Sequence, residues 1–497
     1  MLHHARLAAL LVLLSTGLCA AADHFLTIGG GNSVSNNQVS LEKNVLYLQR
    51  FLADRGMGDL PHEILFSDGT AGGRDLQFTD PKSKLPRVNE LLAEIFRQEN
   101  GLDTQYRPHA IPKLWGPSGR KSISRWFDEV GSKLHDEDRL FIYYTGHGGR
   151  GQMRRDSTLA MWNESDMPVK EFAQLLGRLP PRVSVVLVMV QCFGGGFANV
   201  IFKDADPAKG LSARHVCGFF ATSADRVAAG CTPDIDEEDY HEYSTYFWAA
   251  LYGQKRTGQP VPPPDYDGNG RVSLAEAHAY ALVESDTIDL STKTSDAFLK
   301  QFSRYKRSTE EGDLLDADAD YSLLLQKADP PERAALEGLS KRLELTGESR
   351  TQAARDSARG LSARRKSLER ERRRLSDSHD QICVALRGMI TRRWPELSNL
   401  FNPAAQRVMA QQGDQIVRDI ENSPNYPELK NQDHRLQDMD DQLEELDRRW
   451  IKTQRFLNVA QHVALAANFA SVAPEDLKAR YRELLAAEGG TLEPSGR

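Results

Sequence analysis

The chain has 497 residues, too many for one domain at ~100–200 residues each, so two or three units are expected. With 40% hydrophobic and 27% charged residues it can bury a core and is not generically disordered. Its 63 Lys and Arg against 70 Asp and Glu give a net charge of −7, which argues against a global grip on nucleic acid, and five cysteines are too few for a disulfide scaffold.

The chain opens on His3, His4 and Arg6, then an apolar run over 7–18 and the small residues Ala20, Ala21 and Ala22. That order predicts a secretory signal over 1–22, with a mature start near Asp23. The run falls short of the ~20 residues of a spanning helix, so the product is expected to be secreted or periplasmic with no stable membrane span. Cys19 suggests a lipoprotein, but Leu18 stands where a lipobox needs Gly, Ala or Ser.

From 23 to 327, short β-rich runs alternate with helical patterns. Residues 24–28 read as a strand ending in Gly29, Gly30 and Gly31. Val39, Leu41, Val45, Leu46, Leu48 and Phe51 then recur at helical spacing. Residues 63–66 read as a second strand, stopped by Ser67-Asp68-Gly69. Pro86 opens a helix through Leu91, Leu92 and Ile95. Another is expected over 122–134, with Ser118 or Ser122 as its cap. Residues 140–145 and 183–190 are continuous apolar runs, as in strands buried on both faces of a parallel sheet. A further run over 216–222 precedes a helix over 243–252. This alternation predicts an α/β three-layer sandwich with a mostly parallel central sheet.

Residues 265–276 follow the twelve-residue calcium-loop pattern. Asp265, Asp267, Asn269, Ser273 and Glu276 supply oxygens at positions 1, 3, 5, 9 and 12; the Arg271 carbonyl falls at 7, with Gly270 at 6 and Val272 at the apolar eighth position. Prolines between 260 and 264 forbid the helix that a full EF-hand needs before the loop, so a single loop-helix Ca2+ site is expected. Its expected role is bracing the wall near the active site, not switching.

From about Pro330 the pattern changes. Leu361, Leu368, Leu375 and Ile382 lie seven apart, and Leu436, Met439, Leu443, Leu446, Trp450 and Leu457 follow an a/d alternation. The first segment is basic (Arg364, Arg365, Lys366, Arg370, Arg372, Arg373, Arg374); the second is acidic (Asp438, Asp440, Asp441, Glu444, Glu445, Asp447). Residues 328–497 are therefore expected to form a coiled-coil-like antiparallel helical hairpin. Self-association through the seams is a second use open to them. Pro403 and Pro427 are expected to break an irregular connection over 395–427.

The chemistry gathers at two strand ends. The run over 140–145 leads into Gly146-His147-Gly148-Gly149, and the run over 183–190 into Gln191-Cys192-Phe193-Gly194-Gly195-Gly196. In an open parallel sheet, ligands bind beyond the carboxyl ends of strands. A helix after Cys192 is expected to favour its thiolate. Neither glycine cluster completes a dinucleotide fingerprint, and phosphate-loop, H-E-x-x-H and G-x-S-x-G motifs are absent from the sequence. Cys217 and Cys231 are either a disulfide or two buried thiols.

The His-Gly after one strand and the Cys after the next resemble the caspase-like cysteine peptidases that include legumains, metacaspases and caspases. The opening glycines with the helix from Gln38, the run 220–225 and the segment 243–247 resemble bacterial legumain-type members. The resemblance covers roughly 23–327 and leaves the hairpin outside. It implies Cys192 as nucleophile on a protein or peptide substrate and His147 as general acid/base. Backbone N–H groups of Gly148 and Cys192 would form the oxyanion hole, worth ~3 kcal/mol per donor. It assigns no third catalytic residue. Val190 stands where members that prefer Asn, Arg or Lys carry an acid. Asp234 by likeness to legumains, and Asp225 beside Ser223 by likeness to metacaspases, are the substrate-pocket candidates. With Asp236, Glu237, Glu238, Asp239 and Glu242 nearby, cleavage after basic or Asn residues is expected. Transamidation and a calcium-binding pseudopeptidase whose arm holds partners remain open alternatives.

Overall fold

The computed structural model describes residues 22–98, 102–151, 156–306 and 314–492; the expected signal segment therefore lies outside the described residues except for Ala22. Six strands form the central sheet: β1 (Asp23–Gly30), β2 (His62–Phe66), β3 (Arg139–Gly146), β4 (Ser184–Met189), β5 (His215–Phe220) and β6 (Thr292–Lys293). Their order is β6-β5-β4-β3-β1-β2. All neighbours run parallel except β6, which closes the edge antiparallel to β5.

Both faces of the sheet are covered, which is why the strand sequences run apolar without alternation. Phe25, Tyr143, Val186, Val188, Cys217 and Phe219 face a layer built from α1 (Val39–Asp54) and helices further along the chain. Leu26, Ile142, Tyr144, Leu187, Met189 and Phe220 face the opposite layer. The helices up to the second layer are α2 (Arg87–Phe96), α3 (Arg120–Glu129) and α4 (Val169–Leu176). Trp126 and Phe127 of α3 and Phe172 of α4 are fully buried there, worth ~1.5–3 kcal/mol for each side chain.

The helix expected over 122–134 is shorter and starts earlier, and neither serine caps it. Gly119 is its N-cap, and the Glu164 carboxylate accepts the Arg120 N–H at 2.7 Å. A carboxylate from a distant loop does the work of a local hydroxyl and also faces the positive end of the helix dipole.

On the first layer lie α5 (Tyr243–Tyr252), α6 (Leu274–Glu284) and α7 (Thr294–Phe302). Then follow α8 (Tyr321–Lys327), α9 (Pro330–Arg342), α10 (Arg350–Arg393), α11 (Pro403–Glu421), α12 (Tyr426–Val472) and α13 (Glu475–Glu488). Leu324 of α8 and Leu336 and Leu339 of α9 share one core with Leu282 of α6 and Phe456 and Val463 of α12, so packing is continuous across residue 328.

Helices α10 and α12 form an antiparallel pair. Arg365 meets Asp447 at 2.8 Å, Arg372 meets Asp440 at 2.8 Å, and His379 meets Asp433 at 2.7 Å. Each step of seven along α10 is matched by a step of seven back along α12, the spacing that a 3.5-residue hydrophobic repeat produces. Leu375 and Leu446 are buried in the seam, and Leu361, Leu368 and Leu443 are half-buried. The expected irregular connection instead contains α11, with Pro403 in its first turn; Pro427 likewise sits in the first turn of α12. Proline lacks only an N–H that has no partner at that position, so both residues start helices.

The pair is held at both ends. At one end Phe456, Val459 and Val463 pack into the α6–α9 core. At the other, Leu386 and Ile390 of α10, Ile416 and Ile420 of α11 and Leu429 of α12 enclose Val88, Leu91, Leu92 and Ile95 of α2. Helix α2 lies between the short paired strands Leu76–Phe78 and Gln105–Arg107, which extend from the sheet's carboxyl edge. Among the described residues, no helix is long and apolar enough to cross a membrane.

Candidate active site

Strands β3 and β4 lie side by side, and their register pairs Tyr144 with Met189. His147 and Cys192 each stand three residues beyond that pair, so both leave the sheet at the same level and on the same edge. The two turns touch. A Cβ on Gly148 would collide with the Cys192 carbonyl oxygen and lie 2.5 Å from Cγ of Gln191, so this approach demands glycine.

His147 is held by its ring. Its Nε2 lies 2.8 Å from the Asn36 carbonyl oxygen and 3.0 Å from Oε1 of Gln38. Both are acceptors, so Nε2 carries the hydrogen and Nδ1 keeps a lone pair. Burial pushes the imidazole pKa below its ordinary value, against the Asn36 bond that favours charge, and keeps the ring neutral.

Cys192 is half-buried, and its Sγ accepts a hydrogen bond from the Ala228 N–H at 3.3 Å. The helix expected after Cys192 forms as a 3-10 helix over Gly194–Ile201. Phe193, its N-cap, adopts a left-handed conformation (φ 59°). The Phe193 N–H donates to the Arg226 carbonyl at 2.7 Å and its carbonyl accepts from Ser157 Oγ at 2.6 Å, contacts that hold the strained turn. Burial pushes the thiol up, only partly offset by the Ala228 N–H, so the resting site pairs a neutral thiol with a neutral imidazole.

The N–H groups expected as oxyanion donors are those of Gly148 and Cys192. The Ala160 N–H donates to the His147 carbonyl at 3.0 Å, and Gly148 stands opposite Leu159. In an antiparallel ladder this makes Gly148 and Leu159 a non-hydrogen-bonded pair, so the Gly148 N–H points away from its neighbour. The Cys192 N–H has no hydrogen-bond partner among the described residues.

The expected pocket acids both bond within their own loops. Ser223 Oγ donates to Asp225 Oδ1 at 2.7 Å, closing that exposed carboxylate onto its own loop. Asp234 accepts the Asp236 N–H at 2.9 Å and pairs through its backbone with Thr79. Asp234 thereby caps a local turn, and Asp225 is held by a neighbouring hydroxyl. The buried acid beside the thiol's loop is Glu242, which bonds Ser244 Oγ at 2.7 Å and Arg256 at 3.0 Å. Gly230, at φ 107°, passes so close that a Cβ there would lie 2.7 Å from Glu242 Oε2. A cavity of about 100 Å3 opens here, lined by Ser40, Gly230, Thr232, Asp239 and Glu242. Ser40 lies two residues from Gln38, which contacts His147, and Gly230 two residues from Ala228, which contacts Cys192; Tyr240 and His241 complete the lining, and neither dyad residue is part of it. Cys217 and Cys231 are both free thiols.

The loop over 265–276 folds around its own oxygens. Asp265 Oδ2 accepts the Gly270 N–H at 2.8 Å, Asp267 Oδ1 the Asn269 N–H at 3.0 Å, and Asn269 Oδ1 the Arg271 N–H at 2.9 Å. Glu276 is fully buried, accepts the Tyr266 and Ser273 N–H groups at 2.7 and 2.8 Å, and closes a capping box with Ser273 at the start of α6. Oxygens of Asp265, Asp267 and Glu276 lie within 4.8 Å of one another, an all-oxygen donor set that suits a hard cation.

No family model and no curated protein matches the chain. A structural-genomics crystal structure of a protein from Geobacter sulfurreducens aligns with 42% of this chain and 77% of its own length, at 12% identity and a TM-score of 0.25.

Proposed function

We propose that this chain is an exported, caspase-like cysteine endopeptidase of legumain type that cleaves peptide bonds with the His147–Cys192 dyad. The observation that carries the reading is the shared exit of these two residues from adjacent parallel strands, three residues beyond one paired position.

With Nε2–H held by Asn36, Nδ1 of His147 takes the thiol proton as Cys192 Sγ attacks the scissile carbonyl. The carbon–sulfur bond forms and the carbonyl oxygen gains charge, which the Gly148 and Cys192 N–H groups stabilise. The carbon–nitrogen bond then breaks as His147 returns its proton to the leaving amine, and water releases the acyl group by the reverse path. A neutral resting pair makes attack and proton transfer concerted, with no standing ion pair.

The cavity beside Gly230 supports the specificity. Asp239 on its wall favours a basic or amide side chain in the residue before the cut, while Glu242 there is already paired with Arg256. Ca2+ bound by Asp265, Asp267, Asn269, the Arg271 carbonyl, Ser273 and Glu276 would brace the start of α6 against the segment that follows α13, where Leu274 N–H meets the Gly490 carbonyl at 2.9 Å.

The competing reading, a calcium-binding pseudopeptidase, draws on the apolar Val190 and the raised thiol. A fluorogenic peptide library with basic, Asn and acidic residues before the cut, run on wild type and Cys192→Ala, separates the two. Turnover that is lost in Cys192→Ala and greatest after basic or Asn residues supports the peptidase. Identical, absent turnover with an unreactive thiol supports the pseudopeptidase, and product carrying an added amine identifies transamidation.

A further inference from the structure

We infer that Asp289, locked in place by Arg455 of the C-terminal hairpin, is a positioning residue for the Cys192 thiol, which makes the hairpin a working part of the catalytic site. This rests on the cysteine-peptidase reading above.

The chain of contacts is continuous. Arg455 lies on α12, is 1% exposed, and spends its guanidinium on one loop. Its Nε donates to the Asp289 carbonyl at 2.8 Å, and Nη1 to the carbonyls of Leu282 and Ser285 at 3.1 and 2.8 Å. Nη2 reaches Thr287, whose Oγ1 lies at 3.0 Å and itself accepts the Asp289 N–H at 3.1 Å. Five donors on a rigid fork thus fix residues 282–289.

The fixed loop holds the catalytic one. Asp289 is fully buried; Oδ1 accepts the Ala229 N–H at 2.6 Å, and Oδ2 accepts the Tyr243 N–H at 3.1 Å, the first residue of α5. One carboxylate therefore ties the 228–230 segment to a helix start. The neighbouring Ala228 N–H is the group that bonds Cys192 Sγ. Hairpin, loop, carboxylate, catalytic segment and sulfur follow one another without a gap.

The carboxylate also acts at a distance. Burial pushes Asp289 up to about 7, against the Ala229 bond and Arg455, which favour its charge. The groups facing it are Arg455 from α12, Glu242 ahead of α5, Tyr243 of α5, Cys192 and Cys231. Its negative charge contributes to raising the Cys192 thiol, after burial. Asp289 therefore sets both the thiol's donor and part of its local field.

The test reads the thiol directly on the full-length protein. Alkylation by iodoacetamide is followed at Cys192 by peptide mass spectrometry across pH, with Cys383 on α10 as internal control. Asp289→Asn keeps the shape and removes the charge. It is expected to move the Cys192 alkylation midpoint down by about half a pH unit, roughly threefold in rate at fixed pH, and to leave Cys383 unchanged. In peptide turnover it lowers kcat and leaves KM unchanged. Should Asp289→Asn not fold, Arg455→Lys keeps the cation but cannot span four carbonyls, and at least a threefold change in Cys192 alkylation is expected there. A Cys192 midpoint and rate equal to wild type in whichever variant folds overturns the inference. Alkylation needs no peptide hydrolysis, so a wild type that cleaves nothing would remove the peptidase reading and leave this coupling standing.

Discussion

The Nε2 of His147 lies 2.8 Å from the main-chain carbonyl of Asn36, a partner that accepts a hydrogen and carries no full charge. The imidazole is thus oriented without a carboxylate, and burial, not a counter-ion, sets its protonation.

This fixes the sign of a pH effect. A lowered imidazole pKa means that the base form persists to lower pH. The acid limb of kcat/KM on a fluorogenic peptide is therefore expected below the ordinary imidazole value of ~6.5. The raised thiol places no ionisation of Cys192 near neutrality. An acid limb above neutrality would contradict both assignments.

Gly148 tests the closeness of the two turns. Gly148→Ala sets a methyl against the Cys192 carbonyl, backbone that cannot yield cheaply. A cost of about 1–3 kcal/mol in stability and a 10²–10³-fold fall in kcat are expected. Thermal melts and turnover measure the two effects separately.

Calcium should be visible as stability. At 100 times its dissociation constant, a bound ion adds about 2.7 kcal/mol, so wild-type Tm rises on adding Ca2+. In Glu276→Gln the apo Tm is lower, because Glu276 also caps α6, and the Ca2+-dependent rise disappears. An equal rise in both proteins would remove the site.

His462 predicts an alkaline weakness. Burial and Lys293 oppose its charge, but Asp296 at 2.6 Å and Glu332 at 3.1 Å carry it up to about 9. A raised folded pKa stabilises fully below the unfolded value of ~6.5 and is lost as pH climbs toward 9. The Tm of wild type is expected to fall across that window, and His462→Gln to show a shallower slope. The loss loosens α12 from α7 and α9, the elements that carry Asp296 and Glu332.

The arm's register can be checked by charge exchange. Arg372→Glu is expected to lower stability by roughly 0.2–1 kcal/mol, since the Asp440 pair is largely exposed. Adding Asp440→Arg restores most of that loss. No restoration would place the partners elsewhere.

Much of the fold was written locally. The apolar runs over 140–145 and 183–190 are strands because both of their faces are covered, and the opposite charges of 364–374 and 438–447 pair as their patterns suggest. The shared exit of His147 and Cys192 was legible because a parallel sheet delivers strand ends to one edge. What escaped were contacts across long stretches of chain. The Glu164 carboxylate that caps α3 is 44 residues from Arg120, and Arg455 is 166 residues from the loop it fixes. The helix after Cys192 was legible, but not that it would be 3-10 and start from a left-handed Phe193.

The two-ended anchorage of α10 and α12 has a practical outcome. Between Asp433 and Trp450 the arm bridges ~25 Å at 1.5 Å per residue, yet each side of that bridge belongs to its own core. A protease nick near Leu368 would leave one stub rooted beside Leu336 and the other beside Leu91. The cut protein would elute whole from a sizing column, and its two pieces would part only in denaturant.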